Sequence, residues 1–435
     1  MYQPVDGEAD ISVIVTLSGR RRALIAGVIG NALEWYDFIV YAFFASTIAR
    51  LFFPTGDPTV SLLAALATFG AGFAMRPLGA VVLGGYADRA GRKKVLMITM
   101  LLMGVSTAAI GLAPTYDSIG RWGPALIVLA RLMQGFSAGG EFGSSTAFMM
   151  EHAAEHRRGL TASLQQSSQA AALLAGSLTG AAVTGLLSAE DLLKWGWRLP
   201  FLIGLAIVPA GLYIRSHVDE TPVFAKCAAS DEREPLTELI HTHGPQVSIG
   251  LGLVIVWTVS TYFFLVYMPT YAVHVLGLPQ SSSLVANSLA LAVLMVLAPL
   301  SGSLSDKFGR KPLLLGGAGA VCILTPPLFT ILADYPSLQT LIMVQVVMVA
   351  AIAVFTGPAP AALGELYPTG VRSTGLSLAY NGAVTIFGGF APFISTWLVA
   401  KTGSNLAPAW YVVSAAALSI AALVFMRETA HMQTK

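Results

Sequence analysis

Apolar residues occur in long runs along this chain, separated by short polar segments. An apolar helix of about 20 residues crosses a bilayer, and a helix satisfies its own backbone hydrogen bonds in lipid. The pattern therefore predicts an all-α integral membrane protein. Twelve transmembrane helices are predicted, at 22–50, 59–86, 94–113, 124–150, 160–187, 197–215, 247–275, 282–304, 312–333, 338–365, 372–400 and 406–427.

One polar segment occurs twice, and its spacing divides the chain in half. Gly84–Lys94 and Gly302–Pro312 share the pattern G-x-x-x-D-[RK]-x-G-R-K, with Asp88 and Asp306 lying 218 residues apart in a chain of 435. An internal repeat at this period indicates two copies of one unit. We therefore predict two pseudo-symmetric six-helix bundles. The predicted divisions are a tail at 1–21, a first bundle at 22–215, a linker at 216–246, a second bundle at 247–427 and a tail at 428–435.

The composition and the charge distribution agree with a membrane protein of defined orientation. Hydrophobic residues make up 55% of the chain and charged residues 11%, whereas a soluble domain carries roughly 25% charged residues. Most of the 25 Lys and Arg residues fall in the N-terminal tail, the loops after even-numbered spans and the C-terminal tail. Positive residues mark cytoplasmic loops, so both termini are predicted to be cytoplasmic.

The repeated segment is predicted to form a gate as well as to fix the orientation. An acid at the end of a helix can accept bonds from a neighbouring helix N-terminus or from an arginine. Such contacts would hold the cytoplasmic ends together and would have to break for that face to open. The predicted gating residues are Asp88, Arg92, Asp306 and Arg310, together with two E-x6-R pairs at Glu151 and Arg158 and at Glu365 and Arg372.

Charged residues in the middle of the predicted spans are confined to the first half, and their cost in lipid makes them functional candidates. The first span carries a polar stripe at helical spacing, formed by Asn31, Glu34, Asp37 (or its neighbour Phe38) and Tyr41. Arg76 is predicted to lie near mid-membrane, either contacting a substrate anion or in a structural ion pair with Glu34 or Glu141. The predicted proton-coupling residues are Asp37, Glu34, Arg131 and Glu141.

The second half supplies aromatic and amide side chains at membrane depth instead of charges. Together with the amides of the first half, they predict a polar cavity between the bundles. The predicted substrate contacts are Arg76, Asn31, Tyr41, Gln134, Gln165, Gln169, Tyr262, Tyr267, Tyr380 and Asn381.

These motifs resemble the major facilitator superfamily over essentially the whole chain, and within it the metabolite:proton symporters. The resemblance is carried by the repeated loop, by Arg131-x-x-Gln134-Gly, and by segments at 30–38, 75–79, 134–141 and 195–201. It implies two bundles rocking about a central cavity, and proton-driven import across a bacterial inner membrane. Segments at 261–271 and 386–396 are most similar to citrate and tricarballylate carriers, whereas Glu34-Trp35-Tyr36 is more similar to 2-oxoglutarate carriers.

The leading hypothesis is a proton symporter of a di- or tricarboxylate, in which Asp37 titrates while facing Arg131 and Arg76 holds a substrate carboxylate. The alternatives are symport of zwitterionic proline or betaine, which aromatic residues would favour, and import of shikimate or another aromatic acid. An enzyme is disfavoured because no catalytic or metal-binding spacing lies at membrane depth, and a receptor because no output domain is evident. We expect a monomer in the lipid bilayer, with no cofactor, metal or nucleic acid.

Overall fold

The computed structural model describes residues 29–430 except 30, 33, 91, 140–142, 144–145, 147–148, 151–152, 154, 217–235 and 369–370. The described part is helical throughout, without strands. Its membrane helices are α1 (34–43, continued by Ala45–Phe52), α2 (Pro58–Ala74, continued by Arg76–Ala90), α3 (Arg92–Gly111), α4 (Trp122–Ala138), α5 (Arg158–Leu186), α6 (Leu199–Ser216), α7 (Leu236–Ser260, Thr261–Tyr267 and Met268–His274), α8 (Gln280–Phe308), α9 (Arg310–Asp334), α10 (Leu338–Thr356 and Ala359–Glu365), α11 (Arg372–Ala383, Val384–Gly388 and Ala391–Thr402) and α12 (Ala407–Phe425).

Each predicted span has a helix in this set. Eight segments of the described residues are long and apolar enough to cross a membrane, and Met97–Gly111 is a shorter apolar helix. The helices differ from the sequence pattern mainly at α7, which begins at Leu236 within the predicted linker and has non-helical dihedrals at His243. The prediction of an all-α membrane protein is confirmed, and the domain boundaries remain a prediction.

Prolines interrupt α7 and α11 in the same way, and each interruption follows a π-helical segment. Thr261–Tyr267 precedes Pro269 in α7, and Val384–Gly388 precedes Pro392 in α11. A proline has no N–H for the carbonyl one turn earlier, so neighbouring side chains must satisfy the freed carbonyls in a membrane.

Three side chains from other helices bind these freed carbonyls. In α7, the Leu265 carbonyl accepts from Asn287 Nδ2 at 3.1 Å and the Phe264 carbonyl from Gln345 Nε2 at 3.3 Å. In α11, the Phe387 carbonyl accepts from the Tyr411 hydroxyl at 2.7 Å. These contacts fix the π segments of the second half in place.

The two halves contact each other along α5 and α8, where small residues allow close approach. A Cβ at Gly159 or Gly302 would overlap backbone atoms of the opposite helix. Farther along the seam, the Ser167 hydroxyl donates to the Met295 carbonyl and the Ser177 hydroxyl to the Leu284 carbonyl. Close packing of small residues is a usual form of helix association in lipid.

The α8 end of the repeated segment joins the halves at the predicted cytoplasmic face. The Asp306 carboxylate accepts from the backbone N–H groups of Gly159 and Leu160 at 2.8 and 3.0 Å, at the N-terminus of α5. Arg310 pairs with Asp306 at 2.8 Å and with Glu365 at 3.2 Å. This is the arrangement that the sequence predicts for an acid at this position, although its role as a gate remains a prediction.

The other predicted gating residues are described only in part. Arg372 Nε donates to the Gly364 carbonyl at 3.1 Å, and Arg158 is half-buried at the start of α5. Glu151 and the side chains of Asp88 and Arg92 lie outside the described part of the chain, as does Glu141, a predicted proton-coupling residue.

Glu428, just beyond α12, closes the N-terminus of α9. Its carboxylate accepts from the backbone N–H groups of Arg310 and Lys311 at 2.8 and 3.0 Å, across the turn at Gly309, whose φ is +96°. Partial burial would raise the pKa of Glu428, but bonds from the backbone N–H groups of Ala430, Arg310, Lys311 and Thr429 hold it below the ordinary value. The carboxylate thus stabilises the α8–α9 turn in its charged form.

We expect Glu428→Gln to lower the apparent stability at pH 7 by roughly 1 kcal/mol, the low end for charge-assisted bonds because the group is partly exposed. Because the folded pKa lies below the unfolded one, this stabilisation is present above about pH 4.3 and is lost as the pH falls through the folded value. Thermal unfolding of the purified protein at pH 7 and at about pH 3 measures this. The exposed Glu190→Gln serves as the matched control, and an equal Glu428→Gln effect at both pH values would contradict the assignment.

Candidate functional site

A guanidinium enclosed by aromatic rings lies where the two halves meet. Arg76 begins the second part of α2 and is 3% exposed. Its Cζ lies 4.7 Å from the centre of the Phe73 ring, 5.1 Å from Phe38 and 5.7 Å from Trp35. Its Nε has no hydrogen-bond partner among the described residues. The rings shield the cation on several sides, and cation–π contact offsets part of its desolvation.

A second guanidinium, that of Arg131 in α4, is completely buried beside the first. Its Cζ lies 4.2 Å from the Phe38 ring centre, 4.6 Å from Tyr41 and 5.0 Å from Phe69. Nη1 donates to the Phe38 carbonyl at 3.2 Å and to Gln134 Oε1 at 2.6 Å, while Nε and Nη2 have no partner among the described residues. The Phe38 ring therefore contacts two like charges, each with at least one donor that has no partner among the described residues.

Asp37 is reached from Arg131 through a chain of side chains. Gln134 Nε2 donates to Thr107 Oγ1 at 3.0 Å, and the Thr107 hydroxyl lies beside the Asp37 carboxylate, within reach as a donor. The donors in this chain all point towards Asp37, in the order Arg131, Gln134, Thr107. We call this series the carboxylate relay.

The expectation that Asp37 faces Arg131 directly is wrong. The Asp37 carboxylate lies against Gly204 of α6, where a Cβ would overlap Oδ1. No ion pair joins Asp37 to Arg131, and Oδ1 has no partner among the described residues. Since successive residues of a helix are about 100° apart, Phe38 rather than Asp37 continues the stripe of the first span.

The second half presents aromatic and hydroxyl groups to the two arginines. The Tyr262 ring of α7 lies 5.1 Å from Phe73 and 6.3 Å from Trp35 by ring centres. Tyr262 also lies within electrostatic reach of Arg76, Arg131 and Glu34. Tyr380 of α11 lies within electrostatic reach of Arg76 and Glu34. Its ring centre lies 5.4 Å from that of Trp257. The site is therefore positively charged on one side and aromatic on the other.

The comparisons with known proteins bear directly on this architecture. The family model of the Major Facilitator Superfamily matches residues 27–324, and that of the sugar (and other) transporters matches 224–435. The chain is 37% identical to the citrate-proton symporter of Salmonella typhi, over 94% of this chain and 95% of that protein. The chain belongs to the Major Facilitator Superfamily. It is a multi-pass membrane protein of that family.

Other relatives of this superfamily member carry different names. It is 36% identical to the glycine betaine/proline/ectoine/pipecolic acid transporter OusA of Dickeya dadantii (strain 3937), over 95% of this chain and 85% of that one. The crystal structure of a D-xylose-proton symporter shares the fold, with a TM-score of 0.76, 20% identity, and coverage of 95% of this chain and 99% of that chain.

Several residues predicted as substrate contacts in this superfamily member have other partners. Asn31 Nδ2 donates to Ser168 Oγ at 2.7 Å and to the Gln165 carbonyl at 3.3 Å. The Tyr41 hydroxyl donates to the Ala65 carbonyl, although its ring contacts Arg131. The Tyr267 hydroxyl accepts from Thr396. Of the predicted site residues, the structure therefore brings together Arg76, Arg131, Tyr262 and Tyr380. Tyr267 instead bonds Thr396 of its own half.

The remaining predicted amides are buried at different places. Gln165 accepts from the Thr146 hydroxyl at 2.8 Å, and Gln169 lies in α5 one turn beyond it. Asn381 Nδ2 donates across the halves to the Gly139 carbonyl at 3.0 Å, while its Oδ1 has no partner among the described residues. These amides thus make separate contacts rather than forming one cluster.

Phenylalanine and glycine exchange places where α2 meets α11. Phe73 of the first half covers Gly389 of the second, and Phe390 of the second covers Gly70 of the first. The Thr385 hydroxyl donates to the Phe73 carbonyl at 2.9 Å. We call these four residues the Phe–Gly interlock. Because Phe73 also contacts the Arg76 guanidinium, the interlock adjoins the site.

Sequence reasoning did not find the aromatic enclosure or the interlock. Phe69 and Phe73 are four residues apart and share a face of α2, which is a detectable signal, but that spacing is equally typical of lipid-facing or core residues. Thr107 carries no signal of its own in the sequence, since its place in the relay depends on how α3 packs against α1 and α4.

We expect Gly389→Ala to slow transport by about tenfold or more and to destabilise the protein, because the added Cβ would overlap the Phe73 ring. Overpacking of this kind typically costs about 1–3 kcal/mol of stability. Transport rate and thermal unfolding of the purified variant check this. Gly382→Ala in the same helix is the matched control, since its Cβ would meet only the flexible end of Leu251 at 3.1 Å. Equal behaviour of the two variants would show that the interlock is not tightly packed.

Proposed function

We propose that this protein is a proton-coupled symporter that imports a small organic acid, a di- or tricarboxylate such as citrate, tricarballylate or 2-oxoglutarate. The observation that carries the proposal is the pair of buried guanidiniums with unused donors, Arg76 and Arg131. A cation removed from water requires a partner of opposite charge, and arginine binds carboxylates with charge-assisted, often bidentate bonds. Arg76 lies nearest the second half and is the proposed substrate contact.

Proton coupling is assigned to Asp37 through the carboxylate relay, with Glu34 and Glu141 as further candidates. The ionised carboxylate accepts from Thr107 and orients the chain of donors that ends at Arg131. A buried carboxylate without a cation beside it can be neutralised by taking up a proton. Protonation would remove the negative charge at the end of the relay and weaken its hold on the donors that begin at Arg131. Coupling follows if the loaded and empty carriers then prefer different conformations.

Alternating access in this proposal uses the cytoplasmic contacts as a gate. The present conformation encloses the site, since Arg76, Arg131, Tyr262, Tyr380 and Asn381 are all at most 3% exposed. Opening towards the cytoplasm would separate Asp306 from the N-terminus of α5, and in the other half would involve the repeated residues Asp88, Arg92, Glu151 and Arg158. We assign the protein to the bacterial inner membrane as a monomer with both termini cytoplasmic, as the positive loops favour.

The choice of a carboxylate is supported by the 37% identical citrate-proton symporter and by the two arginines. The second candidate is a zwitterion such as proline or betaine, supported by the similarly related OusA. Its structural support is a set of four aromatic side chains, which pack in pairs: Trp35 with Tyr262, and Trp257 with Tyr380. Aromatic faces attract quaternary ammonium groups. Proline or betaine has a single carboxylate, which would need only one of the two arginines, so the second arginine favours the di- or tricarboxylate.

Uptake by proteoliposomes containing only this protein tests the proposal. Labelled citrate should accumulate under an inward proton gradient, and unlabelled tricarballylate and 2-oxoglutarate should compete more strongly than betaine, proline or shikimate. Dissipating the gradient with a protonophore should abolish accumulation. Accumulation of betaine but not citrate would select the second candidate, and the absence of uptake of every solute would contradict the transport function.

We expect Asp37→Asn to abolish accumulation against a gradient while leaving citrate exchange between loaded vesicles within about threefold of wild type, because the amide cannot carry the proton but can still accept from Thr107. Paired measurements of gradient-driven uptake and of exchange distinguish the two activities. Asp334→Asn, at an exposed helix end, is the matched control. Full concentrative uptake by the Asp37 variant would move the proton to Glu34 or Glu141.

A further inference from the structure

Two hydroxyl groups of α7 are buried beside the site without a hydrogen-bond partner. Thr258 Oγ1 and the Tyr262 hydroxyl have no partner among the described residues, although the two side chains are only 2% and 1% exposed. They lie one helical turn apart on the same face. A buried hydroxyl left unpaired costs free energy, so a retained pair of them points to a ligand group.

Several threonines of this protein satisfy their hydroxyl groups within their own helix, and Thr258 does not. Thr68, Thr184 and Thr325 each donate to a carbonyl of their own helix, four residues earlier, at 2.6–2.9 Å. This is the ordinary way to satisfy a hydroxyl within a membrane helix. Thr258 does not make that bond, and its hydroxyl points instead towards α11.

The residue of α11 that faces Thr258 is a glycine and has no side chain. Gly388 lies in the π segment, and a Cβ there would overlap Thr258 Oγ1 and press on the Tyr262 ring. Only a glycine here allows the Thr258 hydroxyl and the Tyr262 ring to lie against α11. The π segment, held through Tyr411, places that glycine opposite them. We call Thr258, Tyr262 and Gly388 the hydroxyl subsite.

The subsite adjoins the proposed carboxylate contact. Tyr262 and Arg76 both contact the Phe73 ring. A carboxylate bound at Arg76 would therefore place the adjoining part of the same molecule against α7. Thr258 and Tyr262 carry hydroxyl groups that can each donate and accept, and a hydroxyl group of the substrate can do the same.

From this geometry we propose that Thr258 is a specificity-determining residue, which with Tyr262 binds a hydroxyl group of the substrate and so selects a hydroxycarboxylate. The inference rests on the proposed function for its substrate carboxylate at Arg76. It excludes betaine, which has no hydrogen-bonding group beyond its carboxylate. It also separates citrate from tricarballylate, which differ only by the hydroxyl.

Binding to the purified full-length protein tests the inference independently of proton coupling. Equilibrium dissociation constants for citrate and tricarballylate should show wild type favouring citrate by about tenfold, the effect of one hydrogen bond. Thr258→Val should raise the citrate constant about tenfold and leave the tricarballylate constant within twofold, and Thr258→Ser should restore the preference. Arg76→Lys should weaken both ligands alike.

Two controls separate the subsite from general packing. Thr325→Val removes a hydroxyl that bonds its own helix in the same half, and should leave both constants unchanged. Tyr262→Phe should reduce the citrate preference as Thr258→Val does. Equal binding of citrate and tricarballylate by wild type, or parallel losses for both in Thr258→Val, would overturn the inference. Binding of betaine without citrate would also overturn it but leave the symporter proposal standing, whereas citrate-selective binding without proton-driven uptake would overturn only the symporter.

Discussion

A guanidinium held at membrane depth must be surrounded by groups that tolerate its charge, because water is not there to solvate it. This protein places two of them against one phenylalanine ring, Phe38. Aromatic faces from α1 and α2 partly replace hydration, and the Phe38 carbonyl and Gln134 take one donor group of Arg131. The packing of the first half is therefore built around guanidinium groups whose donors the described residues satisfy only in part.

The second half meets a different constraint, which concerns the backbone. Pro269 and Pro392 free carbonyls that lipid cannot satisfy, and Asn287, Gln345 and Tyr411 bind the carbonyls nearby. The resulting π segments change which side chains of α7 and α11 face the first half. Polar residues remote from the arginines thus position the wall of the site, as π segments often do at functional positions.

The sequence predicts the helices well, because hydrophobic runs of membrane length leave few alternatives, and it predicts that an acid of the repeat meets a helix N-terminus. It does not predict side-chain direction to better than one residue, which is why Asp37 and Phe38 exchange their expected places. Asn287 and Gln345 illustrate another limit. Their amide chemistry in the sequence suits a substrate cavity equally well, and only the π segment of α7 shows that backbone carbonyls are their partners.

The Phe–Gly interlock restricts how the two halves can move. Each ring covers a glycine of the other half, and a Cβ at either glycine would overlap the ring, so the rings are closely seated on the glycines. Rotation that lifts the rings from the glycines would also break the bonds of Asp306 at one end of the α5–α8 seam or that of Ser177 towards the other. Because Phe73 contacts both Gly389 and the Arg76 guanidinium, a ligand that draws Arg76 towards itself acts on the same ring that holds the halves together. Charge at the site and contact between the halves are therefore linked through one aromatic side chain.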